Sequence, residues 1–302
     1  MAQGLLPFQY EIEPKSSGMT ALTGLPLYAD LAHAIGLPAS IRRHIRAREK
    51  SSGWTDTQAV MAGIFLNVAG GDHVEDLNVL EKDDGFVRLL MRVEDAGTTR
   101  RQRRALQRRW RKERKRGVPS PSAMFRYLER FHDPHQETLR EESERKAFIP
   151  APNEYLRGFS RVNADLVAWA QEKQTEELAT LDLDATLIQT TKSAALCGYK
   201  GFQCYQPLNV RLAEHNPMLY TEFRDGNVPA GFEILRVLAE SLELLPDGVT
   251  KVRVRSDTAA YQHDFLKYLA EGKNERFGVI EFVIGCDVTD AWSRTSRTRR
   301  TL

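Results

Sequence analysis

The sequence predicts an α/β fold in its second half: a mixed sheet preceded by a mainly α-helical region. Three observations carry this. Apolar residues recur at helical spacing through the first half. From about residue 177 the pattern becomes strand-like. The order there is three strands joined by short turns, then helix, strand, helix, strand. Strands joined by tight turns pair antiparallel, whereas strands reached through helices lie parallel with right-handed crossovers.

Residues 1–20 read as a leader and residues 21–175 as the helical region. In "MTALTGLPLYADLAHAIGL" the apolar stripe is Leu27, Leu31 and Ile35. Thr55 or Asp56 caps an apolar run that ends at Gly70-Gly71, and the next helix carries Val74, Leu77 and Leu80. Two short helices around a Gly-Gly turn fit a helix-turn-helix and fit a bundle equally well. Ser122 is the expected cap of a helix whose apolar face is Met124, Phe125, Leu128 and Phe131. Residues 133–175 read as helical, with a break near Ile149–Pro152.

Strands are expected at 179–188, 205–213 and 218–223, with His215-Asn216-Pro217 turning between the last two. A helix follows, with Asn227 as its cap, Pro229 near its start and Gly248 past its end. Then come a strand at 250–257, a helix over 259–272 and a fifth strand at 277–285. This string of elements is the layout of a ribonuclease-H-like sheet, spanning 176–290. Residues 291–302, rich in Ser, Arg and Thr, do not continue a globular pattern. They read either as a truncated or frame-shifted end or as a natural disordered tail.

Composition narrows the class. The chain has 302 residues, 41% of them apolar, enough for one large or two modest cores. No run of about 18 apolar residues is present, so no membrane partner is expected. The first residues lack the basic and apolar stretches of a secretory signal. Cys197, Cys204 and Cys286 form neither a disulfide framework nor a zinc pattern, which fits a reducing compartment.

The net charge of +2 hides a local imbalance. In 100–116, "RRQRRALQRRWRKERKR", eleven of seventeen residues are Lys or Arg. They are Arg100, Arg101, Arg103, Arg104, Arg108, Arg109, Arg111, Lys112, Arg114, Lys115 and Arg116. The run reads as a solvated linker helix or as an arm that binds DNA phosphates.

Acidic residues interrupt the first strand in "TLDLDATLI". Leu181, Leu183 and Leu187 should share one face, and Asp182, Asp184 and Thr186 the other. Two carboxylates so close repel, and a divalent cation relieves the conflict. Mg²⁺ takes one or two carboxylates, with water and phosphate completing its shell. Asp257 ends the fourth strand in "RSD", at the carboxyl end where parallel sheets bind ligands. If the first and fourth strands are neighbours, Asp184 and Asp257 approach each other. Asp257 reads equally as a helix cap, and Asp182 as an ion-pair partner of Arg253 or Arg255.

"TLDLDATLI", "YQPLNV", "EFRDGN", "VRVRSDTAAY" and "FVIGCDVTDA", with "GGDHVEDLNVLEKDDGFVRLL" and "PSPSAMFRYLERF" upstream, resemble the DDE transposases of bacterial insertion sequences, the 1380-type branch. The resemblance covers roughly residues 20–291. It implies a cytoplasmic, nucleoid-associated enzyme that cuts and rejoins double-stranded DNA at element terminal repeats and target DNA, acting as a homo-oligomer. It further implies two Asp and one Glu that hold Mg²⁺, with Mn²⁺ as a substitute. Asp184 matches the first Asp and Asp257 the second, as catalytic and metal-binding residues; Asp182 is a candidate additional carboxylate. No Glu matches the third acid. Glu271, Glu275 and Glu281 fall before or inside the fifth strand, and only Asp287 and Asp290 follow it. The chain alone is therefore expected to be inactive in strand transfer. A non-catalytic DNA-binding remnant and a ribonuclease-H-like nuclease are the alternatives.

Smaller motifs carry less. "HDPH" (132–135) has metal-like spacing but sits at a turn, and Cys197 and Cys204 read as packing or bystander residues. Lys192, Lys200 and Arg211 lie near the presumed active face, as phosphate contacts or as ordinary surface cations.

Overall fold

The computed structural model describes residues 18–48, 53–95, 100–101 and 116–286. The chain divides into two compact units, 1–132 and 133–302. The first is helical. It contains α1 (Leu25–Ala34), α2 (Leu37–His44), α3 (Asp56–Val68), α4 (Leu77–Lys82), α5 (Asp84–Asp95) and α6 (Pro121–Leu128).

Local chemistry sets several starts. Thr55 Oγ1 accepts from Gln58 N at 3.2 Å, and the Gln58 side chain accepts from Thr55 N at 3.1 Å. This reciprocal capping box fixes α3. Expectations fail at two helices here, and on α6 Phe125 and Leu128 are exposed while Tyr127 is buried beside Met124. The cap of α6 is Ser120 rather than Ser122, because Pro121 favours the first helical position and Ser120 Oγ then accepts from Ala123 N at 3.3 Å. In α1 the buried stripe is Leu25, Ala29 and Ala32, whereas Leu27 and Leu31 are exposed. Both stripes have helical spacing, and the small alanines allow α1 to lie close on α2 and α5. The α3–α4 stretch buries Phe65, Leu77 and Leu80, and Phe65 meets Phe86 of α5 edge to face at 5.6 Å.

The second unit begins with α7 (Pro134–Glu142) and α8 (Glu154–Lys173). Then follow β1 (Leu178–Ala185), β2 (Ile188–Gln189), β3 (Cys204–Tyr205), β4 (Leu208–Leu212), β5 (Met218–Glu222), α9 (Ile234–Leu242), β6 (Lys251–Ser256), α10 (His263–Ala270) and β7 (Glu281–Ile284). The main sheet runs β5-β4-β1-β6-β7. β1 is antiparallel to β4 and parallel to β6, and β6 is parallel to β7. This mixed order is ribonuclease-H-like, as the element string predicts.

One face of the sheet is apolar. Leu181, Leu183, Val210, Val252 and Val254 pack with Val167 of α8, Val237 and Leu238 of α9, and Phe265 and Leu269 of α10. The opposite face presents Asp182, Asp184, Arg211, Arg253, Arg255 and Glu281 at the alternate register positions.

Other expectations are corrected in this unit. β1 stops at Ala185, so Thr186 and half-buried Leu187 lie beyond it and do not extend its two faces. Tyr205 belongs not to β4 but to a separate two-stranded ribbon, β2–β3. Asn227 does not cap α9, which starts at Ile234. Its amide instead donates to the carbonyls of Arg145 and Lys146 at 2.7 and 3.2 Å. The intervening loop is held by tertiary contacts, not by a local cap.

Candidate active site

The last paired residues of β1 and β6 are Leu183 and Ser256. Asp184 and Asp257 each follow by one residue, so the parallel register brings both acids to the same strand ends. Ser256 Oγ donates to the Leu183 carbonyl at 2.9 Å and fixes that register immediately before them. Asn209 is the register partner of Asp184 on the other side. Sequence reasoning missed both Ser256 and Asn209. For Ser256 the signal was a polar residue at an apolar-phase position ending its strand; Asn209 follows the alternation of β4 and gave none.

Both acids are exposed. Among the described residues, Asp184 accepts only a long contact, 3.4 Å, from Thr186 Oγ1. Asp257 Oδ1 caps the short turn Thr258–Ala260 by accepting from Ala259 N at 3.0 Å. The capping role is thus real, and the other oxygen remains available. Among the described residues neither carboxylate forms an ion pair. An exposed pair of carboxylates with free oxygens fits the protein's share of a divalent-cation shell. Among the described residues, no group of three or more His, Cys, Asp or Glu side chains could hold a metal ion. Glu281 is engaged by Arg253, at 2.5 and 2.9 Å, and Asp287 and Asp290 lie outside the described residues.

Asp182 has a different environment. Arg255 grips it with two hydrogen bonds, at 2.6 and 2.8 Å, and Arg211 adds one at 3.3 Å. The Arg255 hydrogen bond, helped by Arg211, holds the Asp182 carboxyl below the usual carboxylate range. A lowered folded-state pKa means that the interaction stabilises the fold above the ordinary carboxylate pKa. Its contribution disappears as pH falls through the folded value. Asp182→Asn should therefore flatten the acid limb of the stability curve below about pH 4. Denaturant midpoints across that range check this, and a limb of unchanged slope would contradict the assignment.

Two acids thus stand at adjoining strand ends, and comparison with known families shows which family the chain belongs to. The profile of the transposase DDE domain group 1 family matches residues 9–299. The chain belongs to that family. No curated protein matches this DDE domain chain. Among solved structures, it is similar to a piggyBac transposase in a synaptic complex with hairpin DNA. The identity is 13% and the TM-score 0.44, over 88% of this chain and 51% of that one. The DDE chain thus spans about half the length of that protein.

The remaining predicted site residues fall as follows. Arg100 and Arg101 are helical and exposed. Arg116 donates to Asn78 at 3.2 Å and to the Val118 carbonyl at 3.3 Å, beside Gly117 and Val118, whose amides donate to Glu81 at 2.8 and 2.9 Å. Arg103, Arg104, Arg108, Arg109, Arg111, Lys112, Arg114 and Lys115 lie outside the described residues. In "HDPH", Asp133 caps α7 by accepting from His135 N at 3.0 Å. Cys204 is fully buried and serves packing. Among the described residues, no helix is long and apolar enough to cross a membrane.

Proposed function

We propose that this DDE-family chain acts on DNA as an insertion-sequence transposase of the 1380 type, with phosphodiester cleavage and strand transfer at element ends as its chemistry. The parallel register of β1 and β6, with Asp184 and Asp257 each following the last paired residues, supports this reading. In the proposed role these two side chains hold Mg²⁺, or Mn²⁺ in its place, and orient the scissile phosphate. When bound, such an ion supplies Lewis-acid stabilisation of charge at the phosphate. Asp182 stays tied to Arg255 and Arg211, so it shapes the site rather than contributing a ligand. The helical region with its basic segment 100–116 grips duplex DNA.

The family resemblance implies three acids, and only two meet at the strand ends among the described residues. That shortfall supports inactivity of the 302-residue chain alone in strand transfer. It equally favours a second reading, a DNA-binding remnant without chemistry. Incubation of the purified chain with DNA carrying element ends and Mg²⁺ tests this. Mg²⁺-dependent cleavage or joining would overturn the inactivity, and cleavage without joining would indicate a nuclease.

DNA binding itself is tested by salt. Each phosphate contact adds about 0.9 to the slope of log affinity against log salt. Replacing Arg103, Arg104, Arg108 and Arg109 with Gln should lower that slope by roughly 3 to 4. A flat salt dependence in the unaltered chain would count against a phosphate-binding arm.

A further inference from the structure

The segment between β1 and β4, residues 186–207, leaves the sheet directly after the Asp184 strand end. It continues the β1–β4 ladder as a narrow ribbon. Thr186 N donates to the Pro207 carbonyl at 3.1 Å, Ile188 and Gln189 pair with Tyr205 and Cys204, and Thr190 N donates to the Gln203 carbonyl at 3.1 Å. At about 3.3 Å per residue, Thr190 stands at most ~20 Å along the ribbon from Asp184. The chain then folds back through a Cys197–Gln203 bridge to a tight turn, in which Gly201 N donates to the Gly198 carbonyl at 3.0 Å.

The foot of the ribbon is fixed. Cys204 is fully buried, and a side chain at Gly198 or Gly226 would come within 2.6 Å of its sulfur. Tyr205 packs on Phe223 at 4.8 Å, and Arg140 donates to the Ala194 carbonyl at 2.5 Å while gripping Asp225. The tip is the reverse. Tyr199 is 76% exposed, and the Lys200 ammonium stands 5.8 Å from its ring centroid. Residues 186–207 include Lys192 and Lys200 and no Asp or Glu.

An anchored turn therefore presents an exposed aromatic ring and a cation at the end of the segment that leaves the Asp184 strand end. The ring lies mostly in solvent. Aromatic rings flanked by cations are stacking platforms for unpaired bases, which expose a π-face whatever their sequence. We propose that Tyr199 stacks on an unpaired base at the DNA end and that Lys200 meets its phosphate. This rests on the DNA-end reading above and adds a specific contact to it.

The test uses the full 302-residue chain in EDTA, with two probes: a blunt duplex and the same duplex with a mispaired end carrying 2-aminopurine. The unaltered chain should bind the mispaired end more tightly and quench the 2-aminopurine. Tyr199→Ala should weaken that binding about tenfold, leave blunt-duplex affinity unchanged and abolish the quench. Tyr199→Phe, which keeps the ring, should behave as the unaltered chain. Equal affinities of Tyr199→Ala and the unaltered chain for the mispaired end would overturn the stacking role and leave the DNA-end reading standing. So would an equal loss on both probes. Failure of the unaltered chain to bind either probe would overturn both.

Discussion

Arg224→Ala is expected to cost the second unit about 3–5 kcal/mol, the scale of breaking a buried ion pair from one side. Arg224 is fully buried in the loop after β5. Its Nε donates to Glu222 at 2.9 Å, and its Nη2 lies 2.8 Å from the same carboxylate oxygen. Nη1 reaches the carbonyls of Pro229 and Ala230 at 3.5 and 3.3 Å. Alanine would leave those carbonyls without this donor and the Glu222 carboxylate with Arg236 alone, at 2.5 Å. Lysine would not rescue, because one ammonium cannot reproduce the guanidinium fork. Arg224→Met combined with Glu222→Gln should recover part of the loss, since both charges then leave the interior together. Hydrogen exchange in peptides covering 218–234, together with urea midpoints, measures this. A change under about 0.5 kcal/mol would refute the buried pair as a structural centre.

The second large effect concerns the two acids. Asp184→Asn and Asp257→Asn should each lower Mn²⁺ affinity at least about tenfold, or about 1.4 kcal/mol, and the double variant should not bind at all. Both residues are exposed, so the fold should survive. Asn at 257 also keeps the cap on the turn that follows, because its side-chain oxygen accepts the same hydrogen bond. Electron paramagnetic resonance of free Mn²⁺ gives the affinities without requiring catalysis. Asp182→Asn serves as a control, because its carboxylate is held by arginines. Wild-type Mn²⁺ affinity in the double variant would remove these acids from the site.

Much of the sheet was legible because β1, β4 and β6 alternate strictly. Leu181 and Leu183 against Asp182 and Asp184 state both the strand and its open face. The crossover rules predicted parallel strands, and the structure meets the remaining condition by pairing β1 with β6, so that Asp184 and Asp257 each follow the last paired residues. What stayed hidden depends on distant partners. Asp225 is held by Arg140, 85 positions earlier, and Asn227 by carbonyls more than 80 positions away. No local pattern announces such contacts, so Asn227 looked like an ordinary helix cap. Arg224 stood in plain view in "EFRDGN", but a lone arginine beside acids usually signals surface rather than core. The β2–β3 ribbon escaped because each of its strands has only two residues. In α1, two stripes of equal period competed, and only the packing of Ala29 and Ala32 chose between them.

The contrast between the ribbon's foot and its tip bears on how the molecule can change. Gly198, Cys204 and Gly226 interlock, so none of the three tolerates a larger neighbour unless the others shrink. Immediately after Gly198, Tyr199 and Lys200 are exposed. New chemistry can therefore be grafted at the turn, by substitution or by added length, while the foot beneath keeps its shape.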